Sequence, residues 1–295
     1  MHASEQDARQ KSQGLRRALQ VFAIVCFMLA AVILLVGQRT PGRLDGPPRV
    51  VVSIPPLLWP VQALADPDAD ITLLVPPGVS AHHAQLSPEH VTALGQADLV
   101  VLTGLDLEPQ IRRIMTQRPA AWRDVVHLPE MDAERFDPHA WLDADVMREF
   151  VDLLIAQDGD WLRDDALEVA EELRATINDV DAAYRDAFEQ LEMRRIVTDH
   201  HAYHALERRY GLEVVAVFRP TNLEPTAGDI AAVRAAIEAK GVQAIYIEPQ
   251  FDGRAARIFA ESLDMRIGTL DPLGDGDWPG MMRANLQALV DGLGG

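Results

Sequence analysis

Cysteine is almost missing from this chain. The 295 residues hold one, Cys26, inside an apolar stretch near the N-terminus. Everything after it lacks disulfides and thiolate ligands, so any metal there must be held by His and carboxylate. Lysine is nearly as scarce, with Lys11 and Lys240 the only two. Against 27 basic residues stand 45 acidic ones, a formal charge of −18. That balance argues against nucleic acid as a partner, and its plain reading is a well-solvated surface. The His-Glu-x-x-His signature of zinc hydrolases is also absent.

The first 48 residues read as a tail, a membrane segment and a linker. Arg16 and Arg17 precede an apolar run over Ala18–Gly37, interrupted by Gln20. About 20 apolar residues suffice to span a bilayer as a helix, and the preceding arginines predict a cytoplasmic N-terminus with the remainder outside. No Ala-x-Ala site ends the run, which favours an uncleaved anchor over a signal peptide. Ala23-Ile24-Val25 makes a poor lipobox, so Cys26 reads as an ordinary membrane-buried residue. Arg39–Pro48 is rich in Gly and Pro and reads as the linker.

From there on, short β-branched runs alternate with helical patterns. Candidate strands are Val50–Ile54, Ile71–Val75, Asp98–Thr103, Arg195–Thr198, Leu212–Phe218, Ala244–Ile247 and Arg266–Leu270. Near-continuous apolar runs of this kind suit buried parallel strands. Ser87-Pro88-Glu89 predicts a helix start, and Gly241 a stop after Ile230–Lys240. Between Asp164 and Glu192 there is neither Gly nor Pro. There Leu173, Ile177, Val180, Tyr184, Phe188 and Leu191 form one apolar stripe on a helix roughly 40 Å long. The pattern is too short to require a coiled coil. The expected fold is α/β: an N-terminal lobe over 49–160, a linking helix over 161–192 and a C-terminal lobe over 193–295, both lobes with parallel-type sheets.

Ligands of open α/β sheets gather beyond the carboxyl ends of the strands. His82 follows one strand through Pro76-Pro77-Gly78, a turn that stops it. His200 follows Arg195–Thr198, and Asp271 follows Arg266–Leu270 with Pro272 behind it. His139 lies in Asp137-Pro138-His139-Ala140-Trp141-Leu142-Asp143, just before a helix start. Two potential ligands thus come from each lobe and point to a metal site in the cleft. Spacing alone leaves plainer readings open. Most histidines are surface or capping residues, Asp271 would also serve as a turn residue, and His83, His201 and His204 are neighbouring alternatives.

Several segments, in order, resemble the zinc/manganese solute-binding proteins of ABC transporters. They are Leu74-Val75-Pro76-Pro77-Gly78 before His82, Thr103-Gly104-Leu105 through Glu108, and the Asp137–Asp143 stretch. Tyr210-Gly211-Leu212 ten residues after His200, Ile247-Glu248-Pro249-Gln250 and Thr269-Leu270-Asp271-Pro272-Leu273-Gly274 complete the set. The resemblance implies two α/β lobes joined by one long helix, with His82, His139, His200 and Asp271 as the metal ligands. It departs from the family at His83, Ala84 and His201, and it lacks a long His-rich loop between Glu108 and His139. Glu248 is expected to orient a histidine or a backbone amide, with a simple helix-capping role as the alternative, and Trp141 to pack under the site.

Three imidazoles and one carboxylate suit Zn²⁺ better than Mn²⁺, which prefers oxygen ligands. The resemblance therefore implies an extracytoplasmic protein that captures Zn²⁺ and passes it to an ABC permease. The chain is expected to be a monomer, and the anchor read at residues 18–37 is unusual for the family, which is usually secreted or lipid-anchored. Alternatives are Mn²⁺ or Fe²⁺ binding within the same family, a zinc hydrolase, and a metal-dependent adhesin.

Overall fold

The computed structural model describes residues 46–104, 107, 110–111, 113–114, 124–129, 138–157, 159–219 and 224–294. The apolar run at 18–37, with Cys26, lies outside them, as do Leu105, Glu108 and Asp137. Among the described residues no helix is long and apolar enough to cross a membrane.

Among the described residues, eight strands form two sheets. β1 (Arg49–Val52), β2 (Asp70–Leu73), β3 (Leu99–Leu102) and β4 (Asp124–His127) pair in the order β2-β1-β3-β4. β5 (Arg195–Thr198), β6 (Glu213–Val217), β7 (Ala244–Ile247) and β8 (Arg266–Thr269) pair in the order β6-β5-β7-β8. Every pairing is parallel, and the two sheets share one topology.

Side-chain alternation explains why the strands read as unbroken apolar runs. Val50, Val52, Leu99 and Val101 face the main core, whereas Val51, Val100 and Leu102 face a smaller cluster with Leu74 and Leu94. In the second sheet Ile196, Ala244 and Tyr246 face the main core, while Val197, Ile245 and Ile247 pack against Phe218 and Phe259. Both faces are covered, so neither can be polar.

The helices begin where local chemistry directs. α1 (Pro55–Leu64) starts directly after β1, with prolines in its first turn. This is why β1 stops short of the expected Ile54, which becomes the N-cap. α2 (Pro88–Gln96) has a capping box in which Ser87 Oγ accepts from the His90 amide and His90 Nδ1 accepts from the Ser87 amide. α3 (Ala144–Ile155) is capped by Asp143, which accepts from the Asp145 amide at 2.8 Å. α4 (Ala166–Gln190) is the long helix, followed by α5 (His204–Tyr210), α6 (Ala227–Lys240), α7 (Arg254–Ser262) and α8 (Trp278–Leu293). Gly241 ends α6 with a positive φ of 70°, a conformation that only glycine adopts freely. β4 was not among the expected strands; its four residues, Asp-Val-Val-His, carry only two apolar side chains.

Leu173, Ile177, Val180, Tyr184, Phe188 and Leu191 are all buried, and α1, α3 and α8 pack on α4. The stripe is therefore consumed within the chain, which removes any basis for a coiled-coil dimer through it. One hydrophobic core runs from Val50 and Phe150 through Ile177 and Tyr184 to Ile196 and Leu289.

Polar ties reinforce this core. Arg209 on α5 makes a two-pronged ion pair with Asp181 on α4, both bonds at 2.7 Å, and also pairs with Asp145 at the start of α3. Tyr210 donates to the same Asp181 at 2.8 Å. Burial raises the Asp181 pKa, but the bonds from Arg209 and Tyr210 outweigh it and hold the carboxyl well below its usual range. Arg209→Ala leaves that carboxylate without its main counter-charge. It is expected to lower stability by about 3 kcal/mol, a fall in the thermal midpoint of roughly 6–12 °C for a domain of this size. A loss under about 1 kcal/mol in thermal or denaturant unfolding would mean that Arg209 is no more than a surface pair.

Candidate metal centre

The strand ends deliver the site. β2 runs on through Leu74 and Val75, whose amides bond to Val52 and Ser53. A turn over Pro76–Val79 follows, closed by a 3.3 Å bond, with Gly78 at φ +77° in the position where such a turn requires it. His82 comes next. His139 precedes a 3-10 turn over Ala140–Leu142. His200 leaves β5, Glu248 leaves β7 and Asp271 leaves β8, all at carboxyl ends.

Three imidazoles converge. His139 Nε2 lies 3.3 Å from His82 Nε2 and 3.2 Å from His200 Nε2. They form one group of mutually close donor atoms, with His139 and His200 buried and His82 half-buried. The cavity between them is small, about 10 Å³, and is also lined by Ser80, Trp141, Gln250 and Phe251.

Glu248 fixes the chemistry of His200. Both of its carboxylate oxygens lie 2.7–2.8 Å from His200 Nδ1. A carboxylate can only accept there, so Nδ1 carries the proton and Nε2 presents a lone pair to the cavity. Burial raises the Glu248 pKa, and the bond to His200 works against that rise. A further layer holds Glu248 itself. Its amide donates to Asp199 Oδ2 at 3.0 Å, and Asp199 pairs with the buried Arg219 at 3.3 Å. Burial also raises the Asp199 pKa, opposed by that amide and by Arg219. The side chain of Arg219 lies over the Phe251 ring. Phe251 in turn meets the edge of His200, with ring centres 5.4 Å apart.

Asp271 stands apart from this group of donors. Its Oδ1 accepts from Gln250 Nε2 at 2.7 Å and from the amides of Leu273 and Gly274 at 3.0 Å. That oxygen organises the turn after β8. Among the neighbouring alternatives, His83 is exposed, and His201 and His204 belong to a second cluster with Glu207.

Two roles were not legible beforehand. Gln250 lines the cavity, holds Asp271 and keeps a buried Oε1 without a hydrogen-bond partner. Its only sequence signal was membership of the Glu248-Pro249-Gln250 segment. Trp141 does more than fill space. Its indole donates to the Pro272 carbonyl at 2.6 Å, and the Trp278 indole donates to the Trp141 carbonyl at 2.8 Å.

Crowding of like groups has a measurable consequence. Burial, then His139, His200 and His83, lower the His82 pKa from 6.5 to about 4. In the metal-free protein the folded state thus refuses a proton that the unfolded chain accepts below pH 6.5 or so. Stability present above that pH is lost as pH falls toward 4. Thermal midpoints of metal-free wild type and His82→Gln, measured between pH 7 and 4, are expected to show a steeper decline in wild type. Equal slopes would remove His82 as the source.

The comparisons with known proteins agree with this architecture. The family model described as zinc-uptake complex component A, periplasmic, matches residues 50–292. The chain is 25% identical over 308 residues to the high-affinity zinc uptake system protein ZnuA of Bacillus subtilis, covering 90% of this chain and 96% of that protein. It is 24% identical over 301 residues to the manganese-binding lipoprotein MntA of Halalkalibacterium halodurans, covering 92% and 98%. The solved structure of the periplasmic zinc binding protein TroA from Treponema pallidum matches with a TM-score of 0.73 at 24% identity, over 84% of this chain and 99% of that one. The structural match at that identity speaks to the fold: two parallel-sheet α/β lobes. On the extent of the family match, this chain belongs to the periplasmic zinc-uptake component A family.

Proposed function

We propose that this protein captures Zn²⁺ outside the cytoplasmic membrane and hands it to the permease of an ABC transporter. His82, His139 and His200 would supply nitrogen ligands and Asp271 the carboxylate. The carrying observation is the spacing of the imidazoles. Tetrahedral zinc with Zn–N bonds near 2.05 Å separates neighbouring nitrogens by roughly 3.3 Å, and the observed separations are 3.3 and 3.2 Å. With His200 Nε2 held as an acceptor, His139 Nε2 can donate to only one of its two neighbours. A cation satisfies all of them together.

The donor chemistry favours zinc over manganese, because three of the four ligands are nitrogen. A single-ion cavity of about 10 Å³ leaves little space for an expanded coordination shell. Asp271 joins through Oδ2 while Oδ1 keeps its turn, and Gln250 links that carboxylate to the loop bearing Glu248. No chemical step is required of the protein. Glu248 is committed to His200 and does not stand free as a general base, which weighs against a zinc hydrolase. The lobes are taken as 49–160 and 193–295, flanking a linking helix at 161–192. The apolar run at 18–37 is read as an anchor to the cytoplasmic membrane, and the chain as a monomer.

Thermal unfolding of the metal-stripped full chain with Zn²⁺, Mn²⁺ or no addition tests this reading. Ligand at about 1,000 times its dissociation constant adds roughly 4 kcal/mol, a rise of on the order of ten degrees for a domain of this size. The rise is expected to be largest with Zn²⁺ and to vanish in His139→Ala. No rise with either metal would sink the proposal. Full retention of the rise in His139→Ala would remove His139 from the ligand set.

A further inference from the structure

Immediately after His200 the chain passes from the interior to the surface. His200 is buried and His201 exposed; Ala202 and Tyr203 are buried, and His204 is exposed again. Ala205 and Leu206 are buried, and Glu207 is half-exposed. The outward positions 201, 204 and 207 thus recur every three residues through the entry into α5, on one line facing solvent. Their donor atoms lie within 4.8 Å of one another. The His201 and His204 rings lie 4.2 Å apart between centres, inclined by 31°. His204 Nδ1 donates to Glu207 Oε2 at 2.7 Å. The other oxygen of Glu207 accepts the Val214 amide at 2.8 Å, which anchors the carboxylate to the sheet.

We infer that His201, His204 and Glu207 form a second, surface site for Zn²⁺, distinct from the buried centre. Two imidazoles and a carboxylate with the remaining positions open to water make a recognised three-ligand zinc set. The ion takes the place of the proton that His204 Nδ1 shares with Glu207, and the neutral ring keeps its one proton by carrying it on Nε2 instead. Zinc held at about 2.0–2.1 Å by both atoms needs them roughly 3.3 Å apart, so the pair opens by about half an ångström. His204 has the freedom for that, its side chain being 52% exposed.

Exposure also sets the rank of the two sites. Water competes for the open positions, and three ligands replace four, so this ion binds more weakly and exchanges faster than the buried one. The two sites are close along the chain, since His201 and His200 are joined by one peptide with about 3.8 Å between Cα atoms. An ion resting on the surface triad is therefore held beside a ligand of the buried site.

Calorimetric titration of the metal-stripped full chain with Zn²⁺ tests the inference against the wild type, a His201→Ala/His204→Ala double variant and His139→Ala. The wild type is expected to bind two equivalents in resolved steps. The double variant should lose the weaker step and keep the tighter one, and His139→Ala should do the reverse. Glu207→Gln is expected to weaken the second step about tenfold or more and leave the first unchanged. A single equivalent that survives the double variant overturns the surface site while leaving the buried one intact. A weaker step that persists in the double variant also overturns it, and assigns that step to the diffuse acidic surface. Loss of the tight step in no variant but the double one would overturn the buried-site assignment and support the triad.

Discussion

Two indoles tie the parts of this protein together. Trp141, fully buried, donates across to the Pro272 carbonyl, and Trp278 donates back to the Trp141 carbonyl. Trp278 also stacks on Trp59 of α1, with ring centres 5.7 Å apart. A buried carbonyl deprived of its donor costs about 1–3 kcal/mol, and the aromatic area buried here adds to that. The bonds fix more than stability. Trp141 lies two residues after His139, and Pro272 lies one after Asp271. The clamp therefore sets the distance between the His139 imidazole presented from the first sheet's side and the Asp271 carboxylate presented from the second.

The continuous core between the sheets works in the same direction. With α4 buried along its apolar stripe and Tyr184 donating to the Met282 carbonyl at 2.8 Å, the lobes share one interior. Rigid-body opening would have to expose that interior, at about 25 cal/mol for each Å² of apolar surface. The segment after β7 is less buried, with Pro249 and Asp252 exposed and Gln250 and Phe251 half-buried, so motion that admits or frees an ion is cheapest there.

Much of this was readable from the residues. Near-continuous apolar strands required a sheet covered on both faces, and the 173–191 stripe required a buried helix; both follow from periodicity alone. The turn at Pro76-Pro77-Gly78 and the helix starts at Ser87 and Asp143 were visible for the same reason, since each rests on local backbone chemistry. β4 was not visible, because two valines give no period to count. Convergence of His82, His139 and His200 came from the strand-end rule together with family resemblance. The separation of His201 and His204 from them did not, because adjacent histidines look alike until the backbone shows which side is interior. Of the roles open to Glu248, a histidine, a backbone amide or a helix cap, the structure shows the contact with the His200 ring. The reach of Gln250 to Asp271 and the reciprocal indole bonds connect residues 21 and more than 130 positions apart, and no local pattern encodes such pairs.

The charge balance of the centre argues for what it holds. Glu248 and Asp199 are both buried beside the imidazoles, and burial raises the pKa of each. Arg219 is the one buried arginine among the described residues, and it faces Asp199 rather than the cavity. His82, with its pKa lowered to about 4, contributes no positive charge near neutral pH. The cavity is thus ringed by imidazole nitrogens backed by carboxylate, and among the described residues the one buried arginine is turned away from it. The cavity between the imidazoles, about 10 Å³, has room for about one water-sized group. A small, doubly charged ion fits the volume, supplies the missing charge and gives every Nε2 a partner, which is why the same three imidazoles that crowd one another without it become its natural enclosure.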